Sequence, residues 1–145
     1  MLTEAEMDMP FESQIYPFMW YEDHYKQAYS ISLGITIFPP GDDYKSELFK
    51  SRWGFIGTGG DWESLAKVFI RKNMPEIKDM IDFDSERIMF CAYSQDEESI
   101  KRFITEFKKA CDDDKAIKKL FKRAIPANPF LWILMKLIGF KFLAL

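Results

Sequence analysis

The chain has 145 residues, which suffices for one compact domain with its own hydrophobic core. Apolar residues make up 48% of it and aromatic residues 17%, a content that excludes an intrinsically disordered chain. The 20 basic and 23 acidic residues leave a net charge of −3, which argues against direct binding to nucleic acid.

The N-terminal segment and the cysteines both indicate a cytoplasmic protein. Residues 1–12 are acidic and lack the basic and apolar regions of a secretory signal. Cys91 lies within an apolar run and Cys111 at the end of a helical pattern, so both are expected to be free, buried thiols in a reducing compartment. Because no C-x-x-C spacing or other ligand pattern occurs, we predict neither a metal nor another cofactor.

Two segments near the N-terminus predict an antiparallel hairpin. Residues 29–38 alternate between apolar residues and small polar residues or glycine, as a half-buried strand does. Residues 15–22 are rich in aromatic side chains and predict the preceding strand, with residues 23–28 as the loop. After the second strand, Asp42 or Asp43 is expected to cap a short helix.

The middle of the chain predicts helices and then a buried strand. A glycine-rich turn at residues 57–60 precedes Asp61, which is expected to be the N-cap of a helix that Pro75 ends. Pro75 is also suited to begin a further short helix that runs to Ile81. Residues 87–93 are apolar without alternation, so they predict a central strand with both faces covered.

Two amphipathic helices follow. Ser94 and Glu97 have the spacing of a capping box, which predicts the start of the first helix. Residues 112–114 are expected to end that helix and cap the second, which Pro126 closes. The order of elements predicts an α+β fold with a small antiparallel or mixed sheet and helices packed on one side. The apolar stripes comprise Ile100, Phe103, Ile104, Phe107 and Ala110 in the first helix, and Ile117, Leu120, Phe121 and Ala124 in the second.

The C-terminal segment differs from the rest of the chain. Residues 128–145 are nearly all apolar but contain Lys136 and Lys141, and a helix needs about 20 apolar residues to span a bilayer. We therefore divide the chain into an α+β domain, residues 1–126, and an apolar extension, residues 127–145. The extension docks on the domain or on a second copy of the chain as a homodimer, contacts a membrane surface, or is poorly ordered, and these alternatives stay open.

The residues that carry enzymatic chemistry are sparse. His24 is the single histidine, so it would have to serve any Ser-His-Asp or Cys-His mechanism. The glycine-rich turn lacks the spacing of a phosphate-binding loop, and Asp61 would repel an anion there. Acidic pairs are explained by caps and solvated loops. We predict no catalytic residue and no enzyme; a small hydrolase using His24 or the acidic pairs is the last-ranked hypothesis.

Short motifs occur in a fixed order along residues 18–124. They are FMWYE at 18–22, GTGGDW at 57–62 followed by SLA at 64–66, FD at 83–84 and MFCAYS at 89–94. In order and spacing they resemble the immunity protein 51 family of bacterial polymorphic toxin systems. The resemblance implies a small α+β protein that is made in the cytosol and binds and blocks a secreted toxin domain, without enzymatic activity. The segment after Pro126 lies outside the pattern.

We therefore predict an immunity protein that neutralises a cognate toxin domain by occlusion. Aromatic anchors within a charged rim suffice for such a role, and loops or strand ends are where these side chains project. The alternative function is a peripheral membrane adaptor anchored by the basic helix and residues 128–145. Trp62, Phe90 and Tyr93 are expected to build the core. The predicted partner-binding residues, each of which also suits a core or solubility role, are Trp20, Glu22, Asp23, Asp42, Asp43 and Trp53.

Overall fold

The computed structural model describes residues 9–36 and 43–143, with side chains up to residue 138. It is an α+β fold, as predicted, in which strands and helices are interleaved along the chain. The strands are β1 (Met19–Asp23), β2 (Ala28–Gly34), β3 (Asp82–Phe83) and β4 (Met89–Ser94). The α-helices are α1 (Phe11–Ile15), α2 (Ser46–Lys50), α3 (Gly59–Asn73), α4 (Glu97–Asp112), α5 (Asp114–Arg123) and α6 (Pro129–Leu143), and a 3₁₀ helix spans Pro75–Met80.

The strands form one antiparallel sheet in the order β1-β2-β4-β3. Its register places Trp20 beside Ile31, and Ile31 beside Ala92. Because side chains alternate between the faces of a strand, these residues share one face with Phe90. Ile31, Phe90 and Ala92 are fully buried beneath the helices. The predicted packing of helices on one side of the sheet is thus confirmed.

Aromatic rings fill the space between the sheet and the helices. Trp62 on α3 is their common neighbour, with ring centroids 4.8 Å from Phe49 and 5.7 Å from Phe18. Phe107 of α4 contacts the same indole edge-on, 6.1 Å away. The predicted core roles of Trp62 and Phe90 are confirmed, since both side chains are buried.

The N-terminal strand begins later than predicted. Ile15 is the last residue of α1 and is fully buried, and β1 starts only at Met19. Pro17 lies between them and follows a cis peptide bond. Because proline has no backbone N–H to donate to a neighbouring strand, it separates the two elements instead of extending the strand.

β4 is central but only one of its faces is covered, so the prediction of two buried faces was wrong. Met89 and Tyr93 are exposed, whereas Phe90 and Ala92 are buried. Consequently Tyr93 is not a core residue and Cys91 is only half-buried, contrary to both predictions. Because the outward-facing Met89 and Tyr93 are also large and largely apolar, the sequence of β4 shows no alternation of apolar and polar residues that would have indicated an exposed face.

The predicted helix caps differ in position from the observed ones. Thr58 caps α3, and Asp61 is its partner in the third helical position of a capping box. Asp96 caps α4 by accepting a hydrogen bond from the Ser99 N–H at 3.1 Å, in place of the predicted box from Ser94. Each competing residue is itself a good N-cap, so local sequence left the choice to the surrounding chain. The cap of α5 is Asp113, within the predicted run.

The second strand ends at Gly34, earlier than predicted, and the short helix that follows is not capped as expected. α2 begins after Lys45, whose backbone is left-handed with φ 59°. The Asp43 carboxylate instead accepts a hydrogen bond from the Thr36 N–H at 2.7 Å, which ties the end of the β2 segment to the start of α2. Asp42 lies outside the described residues.

The apolar extension contains a helix, α6, that follows Pro126. Its start is capped by Asn128, whose side-chain oxygen accepts a hydrogen bond from the Leu131 N–H at 2.8 Å. Among residues 9–36 and 43–143, no helix is both long and apolar enough to cross a membrane. The division between residues 1–126 and 127–145 stays a prediction.

Candidate partner-binding surface

The uncovered side of the sheet carries large side chains that are exposed to solvent. We call it the open sheet face. Met19 and Tyr21 on β1 are 62% and 65% exposed, and Met89 and Tyr93 on β4 are 38% exposed each. The face is completed by Ser30 and Ser32 on β2 and by Cys91 on β4.

The register arranges these residues in rows across the strands. Tyr21, Ser30 and Tyr93 occupy one row, which places a small residue between two tyrosines. Adjacent strands lie about 4.8 Å apart, so the two tyrosine backbones are roughly 10 Å from each other. Tyrosine and methionine are typical of protein-binding surfaces, because each offers apolar area and adapts to a partner's shape.

Carboxylates lie on two sides of the open sheet face. Asp23 shares the outward side of β1 with Tyr21, and its carboxylate accepts hydrogen bonds from the Tyr25 and Lys26 N–H groups at 3.1 and 3.2 Å. On the opposite edge, Asp82 pairs with Tyr93 across the β3–β4 ladder. Asp84 follows on the same edge and is exposed.

The thiol of Cys91 reports on this environment. Burial raises the pKa of Cys91, and the neighbouring Asp84 carboxylate raises it further. The thiol is therefore protonated near neutral pH and contributes a small apolar group to the open sheet face. This position disfavours a nucleophilic role, which requires a lowered pKa.

Of the predicted contact residues, Asp23 lies on the open sheet face, whereas Trp20 and Glu22 point to the covered side. The Trp20 indole packs edge-on against Phe11 with 5.1 Å between ring centroids. Its Nε1 donates a hydrogen bond to the Glu22 carboxylate at 3.0 Å. Lys101 of α4 lies over the same indole, 5.4 Å from its centre. Trp20 is thus a half-buried edge of the core, and Glu22 satisfies its N–H.

Asp43 and Trp53 lie elsewhere. The Asp43 carboxylate accepts the hydrogen bond from the Thr36 N–H described above. Trp53 is exposed in the loop after α2 and contacts Trp132 of α6, with 5.1 Å between ring centroids. The five predicted residues that the structure describes therefore do not form one patch, and a contact role for each of the six stays a prediction.

The sequence interpretation missed Met19, Tyr21, Met89 and Tyr93. The signal was present in β1, where Phe18 and Trp20 alternate with Met19 and Tyr21. Aromatic residues on both sides of the strand concealed which side faces the core. Pairing with β2, whose inward residues are unambiguous, settles the choice.

The glycine-rich turn has a structural role, because it leads into α3 and is stabilised by the Asp61 carboxylate. The buried Asp61 carboxylate accepts hydrogen bonds from the N–H groups of Ile56 and Gly57 at 2.8 and 2.9 Å through one oxygen. Its other oxygen accepts the Ala127 N–H at 2.9 Å. A carboxylate of the chain thus occupies the position that an anion would take at this helix N-terminus. The predicted interpretation as a turn that leads into a capped helix is confirmed.

The groups required by the hydrolase hypothesis have other settings. His24 is exposed in the β1–β2 turn, with its Nε2 4.0 Å from the Glu22 carboxylate. Cys111 is fully buried at the end of α4, and desolvation raises the pKa of its thiol. In the part of the chain that the structure describes, no three histidine, cysteine or carboxylate side chains are grouped to hold a metal ion.

Comparison with known proteins identifies the relatives of this chain. The family model of immunity protein 51 matches residues 18–126, about three quarters of the chain. The match includes the whole sheet, the glycine-rich turn and helices α2 to α5, and ends just before α6. Neither a curated protein nor a solved structure matches the chain. On the strength of the family match, the chain belongs to the immunity protein 51 family.

Proposed function

We propose that this immunity protein binds a cognate secreted toxin domain through the open sheet face and neutralises it by occlusion. The observation that carries the proposal is the juxtaposition of Tyr21, Tyr93, Met19 and Met89 on the exposed side of a sheet whose other side packs against the helices. The family match supports the immunity role. Its site of action is the cytoplasm of the cell that makes both proteins.

The packing of helices against the other side of the sheet favours tight binding at the open sheet face. On β4 each exposed residue lies next to a buried one, such as Phe90 beside Met89, so the core keeps the backbone of this strand rigid before the partner binds. Less conformational entropy is then lost on association than with a mobile loop. Tyrosines at the centre of an interface commonly dominate its binding energy.

The acidic rim indicates the character of the partner. Asp23, Asp82 and Asp84 border the face, and a positively charged surface on the toxin would be attracted to them. Complementary charge mainly accelerates association, whereas the central apolar contacts slow release. An inhibitor of this kind needs no chemistry of its own, because it covers the surface with which the toxin engages its substrate.

The test is co-purification of the tagged protein with the toxin domain encoded beside its gene, together with rescue of cells that express that domain. The Tyr21→Ala/Tyr93→Ala variant is expected to bind the toxin domain at least ~30-fold more weakly, since two central tyrosines are lost. Tyr25→Ala is the matched control, because Tyr25 is fully exposed in the adjoining hairpin turn. It should retain both binding and rescue.

The outcomes separate the role from the surface. A complex with rescue that survives the double substitution would place the interface elsewhere, and Trp53→Ala would then test the predicted contact in the loop after α2. No binding and no rescue by the unaltered protein would reject the immunity function for that toxin. Circular dichroism of each variant verifies that the fold is intact.

A further inference from the structure

Charge is distributed very unevenly along the chain. Residues 115–145 contain seven lysines and arginines and no acidic residue, whereas residues 1–114 contain 13 basic and 23 acidic residues. The C-terminal part thus has a formal charge of +7 and the remainder −10. A net charge of −3 conceals a strongly basic segment.

Helix α5 presents most of this charge on one surface. At 100° per residue, its basic positions fall within an arc of about 140°. The opposite side of α5 is buried through Ile117, Leu120 and Phe121. The exposed basic residues are Lys115, Lys118, Lys119, Lys122 and Arg123.

Helix α6 begins six residues after Arg123 and exposes an apolar surface, which we call the C-terminal apolar face. Phe130 and Leu137 are 73% and 61% exposed. The exposed apolar positions fall within about 140° of the helix, so they form a continuous strip, and the exposed Lys136 lies outside it. The face consists of Phe130, Ile133, Leu134, Leu137 and Ile138.

The other side of α6 contacts the domain near the start of the helix. Trp132 packs on Trp53, and Asp61 holds the Ala127 N–H just before the helix. Within the described residues, the buried indole Nε1 of Trp132 has no hydrogen-bond partner. Lys136 flanks that indole, 5.8 Å from its centre.

The apolar surface of α6 and the basic surface of α5 together suit the surface of a bilayer. The exposed apolar positions of α6 follow closely on the exposed lysines of α5 along the chain. Apolar side chains can enter the acyl boundary of a bilayer while neighbouring basic side chains contact the lipid headgroups.

We propose that α6 docks on an anionic membrane surface, with the C-terminal apolar face at the acyl boundary and the basic side of α5 against the headgroups. A second copy of the chain fits this charge pattern less well. A two-fold interface through α6 would bring together two segments of charge +7 each. Anionic lipid supplies both the apolar and the negatively charged component. This proposal is independent of toxin binding.

The test uses the full-length protein and sedimentation with vesicles of phosphatidylcholine, with or without an equal amount of phosphatidylglycerol, at low and high salt. Binding is expected only to the anionic vesicles, and high salt should weaken it. The Lys118→Glu/Lys119→Glu/Lys122→Glu variant should bind at least ~100-fold more weakly, since each basic residue near an anionic surface contributes roughly fivefold.

The control changes net charge equally on other elements. Lys26→Glu/Lys72→Glu/Lys78→Glu alters three exposed lysines outside α5 and α6 and should retain most of the binding. Phe130→Ser/Leu137→Ser removes apolar contact without changing charge and should abolish cosedimentation, whereas Ile88→Ser removes an exposed apolar residue elsewhere and should not.

Three results would overturn the proposal. They are equal binding to neutral and anionic vesicles, no binding to either, and a dimer in light scattering that Phe130→Ser/Leu137→Ser converts to a monomer. The last result would identify the C-terminal apolar face as a contact between copies of this chain. Because vesicles contain no toxin, none of these outcomes bears on the proposed immunity function.

Discussion

Within residues 9–36 and 43–138, two exposed apolar surfaces differ in composition, in neighbouring charge and in the rigidity of their support. The open sheet face combines tyrosine and methionine with an acidic rim and lies on a sheet held by the core. The C-terminal apolar face is aliphatic and phenylalanine-rich, adjoins the basic helix α5, and belongs to a helix with few contacts to the domain. The first lies within the family match and the second beyond it.

The comparison shows that exposed apolar area alone does not identify a partner. The neighbouring charge and the rigidity of the backbone make the distinction. A rigid face with polar tips suits a folded protein, whereas an apolar strip beside lysines suits a lipid interface. If this distinction is correct, one side of the sheet is buried and the other exposed, and the two surfaces act independently. Four experiments test these expectations.

The largest expected effect contrasts the two sides of β4. Phe90→Ala should lower the free energy of unfolding by about 3–5 kcal/mol, because the ring is fully buried. Tyr93→Ala, three residues along on the open sheet face, should lower it by less than about 1 kcal/mol. Urea unfolding followed by tryptophan fluorescence measures both. Equal losses would show that Tyr93 is covered in solution.

Asp61 accepts hydrogen bonds both from the turn before α3 and from the Ala127 N–H just before α6, so its substitution tests both contacts. Asp61→Ala leaves the buried Gly57 N–H and the part-buried Ile56 and Ala127 N–H groups without their acceptor, which should cost about 3 kcal/mol of unfolding free energy. Asp61→Asn retains one side-chain oxygen and should lose less. Hydrogen exchange of the Ala127 amide should accelerate in both variants. An unchanged exchange rate would contradict the observed tie.

Glycine substitutions test how closely α3 approaches β4. A Cβ at Gly59 would overlap the carbonyl oxygens of Glu86 and Met89, so Gly59→Ala should destabilise the protein by about 1–3 kcal/mol or more. Gly34→Ala is the control, because a Cβ at Gly34, the last residue of β2, would meet no atom within 4 Å. Thermal unfolding should separate the two variants, and similar melting temperatures would be inconsistent with this packing.

The smallest effect is chemical and reports on the open sheet face directly. Cys111 should resist alkylation by iodoacetamide in the native protein, because it is buried and its thiol pKa is raised. Cys91 should react slowly at neutral pH and faster as the pH rises, since its pKa is also raised but its side chain is half-exposed. Mass spectrometry of the labelled peptides gives both rates. Protection of Cys91 in the toxin complex would support the proposed interface.

Regular periodicity made much of the fold predictable. The stripe of Ile100, Phe103, Ile104 and Phe107 indicated α4, and all four side chains are buried. Alternation likewise indicated β2, whose inward residues line the core. β3 was missed, since two residues are too few to show any period. It forms because β4 offers an unpaired edge beside it.

The candidate surfaces were less predictable for a related reason. Aromatic residues on both sides of β1, and apolar residues on both sides of β4, mark strands but not their buried side. Trp20 and Glu22 were therefore predicted as contact residues although they lie on the covered side of β1. Their outward-facing neighbours Met19 and Tyr21 were not predicted. Among the loop residues, Asp43 and Trp53 make local contacts that only the folded chain brings about.

The amino-acid sequence by itself determined the fold class, the two amphipathic helices of the C-terminal half, the charge segregation and the motifs of the family. These depend on local periodicity and on residue type. Tertiary structure alone decided which side of the sheet is open, which of several competent residues caps each helix, and where Trp53 meets α6. The physical reason is that burial is a property of the assembled layers: a side chain becomes core or surface only when another element covers it.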